Sequence, residues 1–157
     1  MTTRHLFLVV AAALLLVALV LRLEHHGTPA GTVVADPVRT PGVVNPDVTQ
    51  ATIRSTICVR GWTRTVRPPV EYTNGLKAKQ MRAYGERGSL SGYQEDHLIS
   101  LELGGHPTDP RNLWPEPYPR ASAVDQIEND LNSHVCDGSL SLQDAQEKES
   151  ALKHSKG

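Results

Sequence analysis

The chain has 157 residues, with 16 lysines and arginines against 17 aspartates and glutamates and a formal net charge of −1 at pH 7. After an apolar N-terminal segment and the stretch behind it, this length leaves room for one small domain. Residues 45–93 are mainly basic and residues 94–157 mainly acidic. A basic half suits a polyanion and an acidic half suits a cation, but charge alone favours two solvated faces of an ordinary soluble domain.

Residues 6–21 (LFLVVAAALLLVALVL) are continuously apolar. This length lies between that of a signal-peptide core and that of a full membrane span, which takes about 20 apolar residues. We interpret residues 1–23 as an N-terminal hydrophobic helix that is either a signal anchor or a signal peptide. Both interpretations predict an exported domain, held on the membrane through residues 6–23 if uncleaved and secreted if cleaved.

Residues 24–44 mix Gly, Pro, Thr and Val without a period and are predicted to form a flexible linker. The folded domain is therefore predicted to cover residues 45–157. Cys58 and Cys136 are the two cysteines of the sequence. Outside the cytoplasm two cysteines in one small domain usually pair, which predicts a Cys58–Cys136 disulfide. Two buried thiols or zinc ligands are the alternatives, and zinc is disfavoured because close Cys or His partners at zinc-finger spacing are missing.

The first part of the domain contains a strand pattern and then a helix pattern. Residues 51–66 are rich in Thr, Val and Ile, which predicts a short strand around residues 56–59 and a second one after the glycine that follows. Residues 67–75 are predicted to be a loop. Good helix formers fill residues 76–85 and predict a short helix that ends at a glycine.

The stretch EDHLISLELGG, residues 95–105, alternates apolar and other residues and predicts a strand or extended segment that ends at its two glycines. A turn-rich loop follows, and residues 112–114 are predicted to return as a short strand that the next prolines end. Residues 122–138 then carry the strongest helix pattern, with Ser122 as cap and Gly138 as stop. A last helix is predicted over residues 142–152.

Two features of the long helix follow from its period. One is an apolar stripe that consists of Val124, Ile127, Leu131 and Val135. The other is a polar flank beside that stripe, on which plotting at 100° per residue places Asp125, Glu128 and Asn132 together. Such a flank is half-buried in a small domain and presents ligands to a site.

The order of these elements resembles the HNH nucleases and their ββα-metal fold. The residues that carry the resemblance are Asp96, His97, Leu98, Ile99, Leu101, Leu103, Gly104, Gly105, Asn112 and Leu113. The chain is also similar, from about residue 45 to 151, to a group of small exported bacterial proteins of HNH type. The resemblance implies a small single domain of α+β class with a ββα-metal core.

The resemblance also implies an activity, namely metal-dependent hydrolysis of phosphodiester bonds in nucleic acid, with DNA favoured over RNA and little sequence preference. His97 would be the general base, because an imidazole accepts a proton near neutral pH. Asp96 would bind a divalent cation, Mg²⁺, Mn²⁺ or Zn²⁺, through a carboxylate oxygen. Asn112 would hold the His97 loop by side-chain hydrogen bonds to the backbone.

The third metal ligand is expected on the long helix, where Asn132, Asp125 and Glu128 are the candidates. Phosphate contacts are assigned to three arginines of the basic half, Arg60, Arg64 and Arg67, for which a solvated basic face is an equal alternative. No protein partner is implied.

The chain departs from the resembling proteins at two positions. Ser100 stands where they usually have proline, and Val124 stands in or beside the place of a lysine. These departures, with the open choice of the third ligand, support one alternative function, a catalytically inactive envelope protein with the HNH fold. The arginines of the basic half support another, a module that binds a polyanion.

Overall fold

The computed structural model describes residues 34–155, which form a mixed fold of helix and sheet. In this range there are four α-helices and one antiparallel sheet of two strands, in agreement with the predicted α+β class. The elements are α1 Trp62–Val66, α2 Val70–Tyr84, β1 Tyr93–His97, β2 Leu113–Pro117, α3 Tyr118–Asp137 and α4 Leu142–Lys153. The predicted helix of residues 1–23 lies outside the described residues, and no helix within them combines the length and the apolar character needed to cross a membrane.

The predicted strand at residues 56–59 is wrong. The chain forms turns there, and the predicted second strand is replaced by helix α1. Ile53 and Ile57 are buried while Ser55 between them is exposed, which fits helical turns, because a strand would place all three on one face. The Thr56 hydroxyl donates to the carbonyl of Thr52 at 2.8 Å. Threonines that were expected to favour a strand therefore satisfy the backbone of a local turn instead.

The predicted loop of residues 67–75 is correct only as far as Pro69, since α2 begins at Val70. Two prolines in succession, at 68 and 69, disfavour helix in the residues before them and so fix the start. Gly75 costs about 1 kcal/mol inside a helix, but tertiary packing overrides this propensity, with Lys77 and Met81 buried on one face. The predicted end at Gly85 is confirmed, and this glycine has φ 75°.

β1 and β2 pair antiparallel, with Asp96 opposite Trp114 and His97 opposite Leu113. The predicted extended segment leaves the sheet at His97 and continues as a single 3-10 turn, Leu101–Leu103. The returning strand is confirmed, but it includes the two prolines expected to end it. These prolines stand two residues apart, where both nitrogens can face away from the one partner strand, so no ladder hydrogen bond is lost.

Helix α3 begins at Tyr118, one turn before the predicted cap at Ser122, and ends at Gly138 as predicted. In its expected apolar stripe Val124 and Val135 are buried, whereas Ile127 is 39% exposed. Helix α4 is confirmed. The Ser141 hydroxyl caps it by accepting from the backbone N–H of Asp144 at 3.1 Å.

The main core lies between the turns before α1, the 3-10 turn after β1, and helices α3 and α4. Its buried members are Val48, Ile53, Ile57, Ile99, Leu103, Val135, Leu142 and Ala145. The predicted disulfide is confirmed beside this core, with the Cα atoms of Cys58 and Cys136 5.5 Å apart. It joins the turn before α1 to the end of α3.

Residues 35–44, which belong to the predicted flexible linker, contact the domain through the buried residues Ala35 and Thr40. Ala35 is fully buried, and its N–H donates to the carbonyl of Lys153 at 3.1 Å. Thr40 is 1% exposed, and its hydroxyl lies 2.7 Å from that of Tyr84. The folded domain therefore begins before Asn45, because these residues cover the end of α4.

Candidate functional site

Asp96 and His97 end β1, and a cavity of about 430 Å³ opens beside them. We call it the acid cavity. Its lining residues are Arg67, Gln94, Glu95, Asp96, His97, Glu102, Asp125, Glu128 and Asn129. The structure therefore brings together five of the predicted site residues: Asp96, His97, Asp125, Glu128 and Arg67.

The other predicted helix ligand, Asn132, points elsewhere. Its amide donates to the carbonyls of Glu102 at 2.7 Å and Ile57 at 3.4 Å, which ties α3 to the turn before α1. Asn132 and Arg60 both line a separate groove of about 540 Å³ beside the disulfide. Arg64 lies over Gly61 at the start of α1. Among the three predicted arginines, Arg67 is the one that lines the acid cavity.

The imidazole of His97 is 6% exposed, and its Nε2 lies 3.0 Å from the carbonyl oxygen of Pro107. A carbonyl only accepts, so Nε2 carries a proton and donates it. In the neutral ring the lone pair is then on Nδ1. This is the one hydrogen bond that the described residues give the ring, and it fixes the tautomer. Burial lowers the pKa of His97, although the Pro107 hydrogen bond and the Asp96 charge act in the opposite direction.

Asn112 is fully buried and holds the chain that leaves β1. Its Oδ1 accepts from the N–H of Ile99 at 3.0 Å and of Val43 at 3.2 Å. Its Nδ2 donates to the carbonyls of Ile99 at 3.0 Å and His106 at 3.1 Å. The predicted hydrogen bonds from this side chain to the backbone are thus present, and they fix the loop that carries Pro107.

The two glycines that follow the 3-10 turn, at positions 104 and 105, are required for different reasons. Gly104 has φ 73°, a left-handed conformation that glycine adopts without strain. Gly105 allows a close approach, because a Cβ there would collide with the carbonyl of Ile99 and lie 2.7 Å from Nδ2 of Asn112. The glycines therefore allow the loop to close around Asn112.

Lys153, which the sequence analysis missed, lies at the centre of the buried polar groups. Its side chain is fully buried, and Nζ lies 2.8 Å from Oδ2 of Asp96, 2.5 Å from Oε1 of Glu128 and 3.2 Å from Oε1 of Glu149. It also donates to the carbonyl of His97 at 2.5 Å. A signal existed in the sequence, since Glu149 and Lys153 continue the core-facing stripe of α4, four residues apart as ion pairs on helices are.

The charges of this cluster follow from burial and from Lys153. Burial opposes the ionised form of Asp96, but the ammonium beside it lowers the pKa of Asp96 overall. Burial also opposes the charge on Lys153, and the carboxylates around it raise its pKa well above the ordinary value. Burial raises the pKa of Glu128 to about 9. Asp96 and Lys153 are therefore an ionised pair, while Glu128 holds a proton at neutral pH.

Among residues 34–155 no three His, Cys, Asp or Glu side chains are arranged as a metal-ion site. Both carboxylate oxygens of Asp96 have partners, Lys153 at 2.8 Å and the Gln94 amide at 3.3 Å. Glu128 is held by Lys153 as well. With Lys153 in place, Asp96 and Glu128 do not fit a bound metal ion, and the roles assigned to Asp96, Asp125, Glu128 and Asn132 as ligands stay predictions.

The polar cluster around Lys153 explains why residue 100 is serine and not the proline that the resembling proteins usually have. The backbone N–H of Ser100 donates to both carboxylate oxygens of Glu149, at 3.0 and 2.9 Å. A proline at this position has no N–H and would leave the buried Glu149 without that partner. Val124 is 4% exposed and packs as an apolar residue of α3.

The fold and the site define a small α+β domain with a buried histidine at the edge of an acid cavity. Beside the histidine lies an ionised aspartate whose charge is balanced by a buried lysine. No protein-family model, no curated protein and no solved structure matches the chain. An assignment of function therefore depends on the chemistry of these side chains.

Proposed function

We propose that this chain is an exported nuclease of HNH type that hydrolyses phosphodiester bonds in nucleic acid, with DNA favoured over RNA and little sequence preference. The observation that carries the proposal is the arrangement of His97. Its Nε2 proton is fixed on Pro107, and its Nδ1 lone pair remains available beside a cavity. A ββα order of elements, with an Asn112 clamp behind the histidine, supports the same class.

The reaction needs a base for the attacking water. Nδ1 of His97 would accept the proton of a water in the acid cavity as that water attacks phosphorus. The P–O bond to the leaving sugar oxygen would break, and that oxygen would take a proton from solvent water. The imidazolium would then be stabilised by the ionised Asp96 next to it in the chain and by the Pro107 carbonyl. Because Asn112 fixes the loop that carries Pro107, the ring keeps one orientation throughout.

The substrate phosphate needs a cationic partner and a cavity that does not repel it. Arg67 is an exposed residue that lines the cavity, and its guanidinium suits a phosphate oxygen. The carboxyl groups opposite would repel the phosphate if all were ionised. Burial raises the pKa of Glu95 to about 8 and that of Glu128 to about 9, so both are protonated near neutral pH. The cavity is therefore less negative than its composition implies.

The resemblance to HNH nucleases implies a divalent cation, which would supply charge neutralisation at the phosphate and the leaving oxygen. Lys153 holds the carboxylate that would bind this cation. The roles given above to His97 and Arg67 do not require a metal ion at Asp96. Export is supported by the disulfide, since paired cysteines persist in oxidising compartments.

Replacement of His97 by alanine is expected to reduce cleavage of supercoiled plasmid by roughly 10²–10⁴-fold, the range for loss of a general base. The assay uses the full oxidised chain in a mild detergent, with EDTA, Mg²⁺, Mn²⁺ or Zn²⁺. His134→Ala is the matched control, because that imidazole is 60% exposed on α3 and lies outside the cavity lining. Folded wild-type protein that cleaves no DNA in any of the four conditions would contradict the proposal.

The pH dependence of cleavage gives a second test of His97. The base must be neutral, and burial lowers its pKa below the ordinary value of 6.5. The rate is therefore expected to rise with pH and to reach half of its maximum below pH 6.5. A profile of the initial rate from pH 4.5 to 8.5 measures this midpoint. A midpoint above 6.5 would mean that another group limits the reaction.

One observation favours a second function, a non-catalytic module that binds a polyanion. Lys153 neutralises Asp96, the residue expected to bring the metal ion to the substrate. In that case wild-type protein would retard DNA without cutting it. The affinity would fall steeply with salt, and replacement of Arg60, Arg64 and Arg67 would reduce the salt dependence.

A further inference from the structure

The ammonium group of Lys153 has the surroundings of a bound cation. Four oxygens contact Nζ: the carboxyl oxygens of Asp96 at 2.8 Å, Glu128 at 2.5 Å and Glu149 at 3.2 Å, and the carbonyl oxygen of His97 at 2.5 Å. They come from the end of β1, from α3 and from α4. We call these four oxygens the Lys153 cage.

The donor atoms of the Lys153 cage are of the kind that hard metal ions prefer, although a lysine holds them in this arrangement. Divalent cations such as Mg²⁺, Mn²⁺ and Ca²⁺ take carboxylate and backbone carbonyl oxygens. The cage contains three carboxyl groups, of which Asp96 is ionised, and one carbonyl, and Lys153 is the cation at its centre. An ammonium has three protons and so pairs with most of the oxygens that surround it.

The position of Nζ is fixed by the fold from several sides. The carbonyl of Lys153 accepts from the N–H of Ala35, which holds the end of α4. One turn earlier, Glu149 receives the backbone N–H of Ser100 on both carboxylate oxygens. Lys153 is fully buried, so its charge is compensated by these oxygens and not by solvent.

We propose that Lys153 is a tethered cation that takes the place of a metal ion at Asp96. The wild-type chain then binds no divalent cation in the Lys153 cage, and a short neutral side chain at position 153 opens the cage to one. This deepens the proposed function and rests on it in one respect, since Asp96 is the ligand that the nuclease resemblance assigns to the metal.

Mn²⁺ binding to the full oxidised chain in detergent tests the proposal, by titration calorimetry and by the loss of the free Mn²⁺ signal in electron paramagnetic resonance. Lys153→Ala is expected to bind about one Mn²⁺ per chain, because the cage then presents only oxygens. Lys153→Ala combined with Asp96→Asn is expected to lose that binding. Lys148→Ala is the matched control, since Lys148 is exposed on the same helix and should leave Mn²⁺ binding as in the wild type.

Titration of the wild-type chain with Mn²⁺ is a test that does not depend on the folding of the Lys153→Ala variant. Wild type that binds one Mn²⁺, with the binding lost in Asp96→Asn, overturns the proposal. Folded Lys153→Ala that binds no Mn²⁺ overturns it as well. If Lys153→Ala needs the ion to fold, Mn²⁺ must restore its helical circular dichroism signal, and failure to do so also overturns the proposal.

The same titrations separate this proposal from the nuclease proposal. If the wild type cleaves DNA but binds Mn²⁺ through Asp96, the tethered-cation proposal is wrong and the nuclease proposal stands. If the wild type cleaves no DNA and Lys153→Ala binds Mn²⁺ through Asp96, the tethered-cation proposal stands and the nuclease proposal is wrong.

Discussion

Replacement of Asn112 by leucine is expected to lower the free energy of unfolding by roughly 3–5 kcal/mol. The side chain is fully buried and makes four hydrogen bonds to the backbone, with Val43, Ile99 and His106. Leucine has a similar volume but pairs with none of these groups. Each buried backbone group left without a partner costs about 1–3 kcal/mol, and partial access of water reduces the sum.

Chemical denaturation of the full chain, followed by circular dichroism, measures the Asn112→Leu effect. Asn74→Leu is the matched control, because Asn74 is exposed in the second turn of α2 and a change there is expected to stay within about 0.5 kcal/mol. Equal stability of the two variants would show that the four hydrogen bonds contribute nothing net. Cleavage of DNA is expected to fall in Asn112→Leu as well, since the loop with Pro107 would no longer fix His97.

The loop that carries His97 could be predicted from the sequence because its determinants lie close together in the chain. The glycine pair, the asparagine at 112 and the strand before them are all within one short segment. The side chain of Asn112 bonds to Ile99, 13 residues away. The tight turn follows from the two glycines. The hydrogen bonds of Asn112 to the backbone were expected from the resemblance to HNH nucleases.

The helix caps of the second half could be predicted for a similar reason. Ser141 accepts from a backbone N–H three residues later, and Gly138 ends α3 in a left-handed conformation. These are local interactions between neighbours in the sequence. The start of α3 was missed because its first turn contains Pro119, which a helix tolerates at that position although it resembles a break.

The polar cluster around Lys153 could not be predicted, because its members are far apart in the chain. Lys153 and Asp96 are 57 residues apart, and Lys153 and Glu128 are 25 apart. No local pattern states that the end of α4 reaches the end of β1. The choice of a third ligand among Asn132, Asp125 and Glu128 stayed open in the sequence for the same reason. Asn132 and Glu128 lie one turn apart on one flank, and only the packing of α3 decides which of them reaches the cavity.

Removal of the disulfide, by replacing Cys58 and Cys136 with serine, is expected to lower the free energy of unfolding by roughly 4–5 kcal/mol. The bond closes a loop with a sequence separation of 78, and the chain-entropy model assigns about this much to a loop of that length. It also fastens the turn before α1 to α3, the helix that contributes Asp125 and Glu128 to the acid cavity.

Denaturation of wild type with and without a reductant, beside the double serine variant, measures the contribution of the disulfide. The reductant is expected to lower the midpoint of the wild type to near that of the variant and to leave the variant unchanged. Ser133→Ala is the matched control, because this exposed serine lies near the disulfide on α3 and its loss should shift stability by about 0.5 kcal/mol at most. A variant as stable as oxidised wild type would mean that the core between the turns and α3 holds both ends of the loop together without the covalent bond.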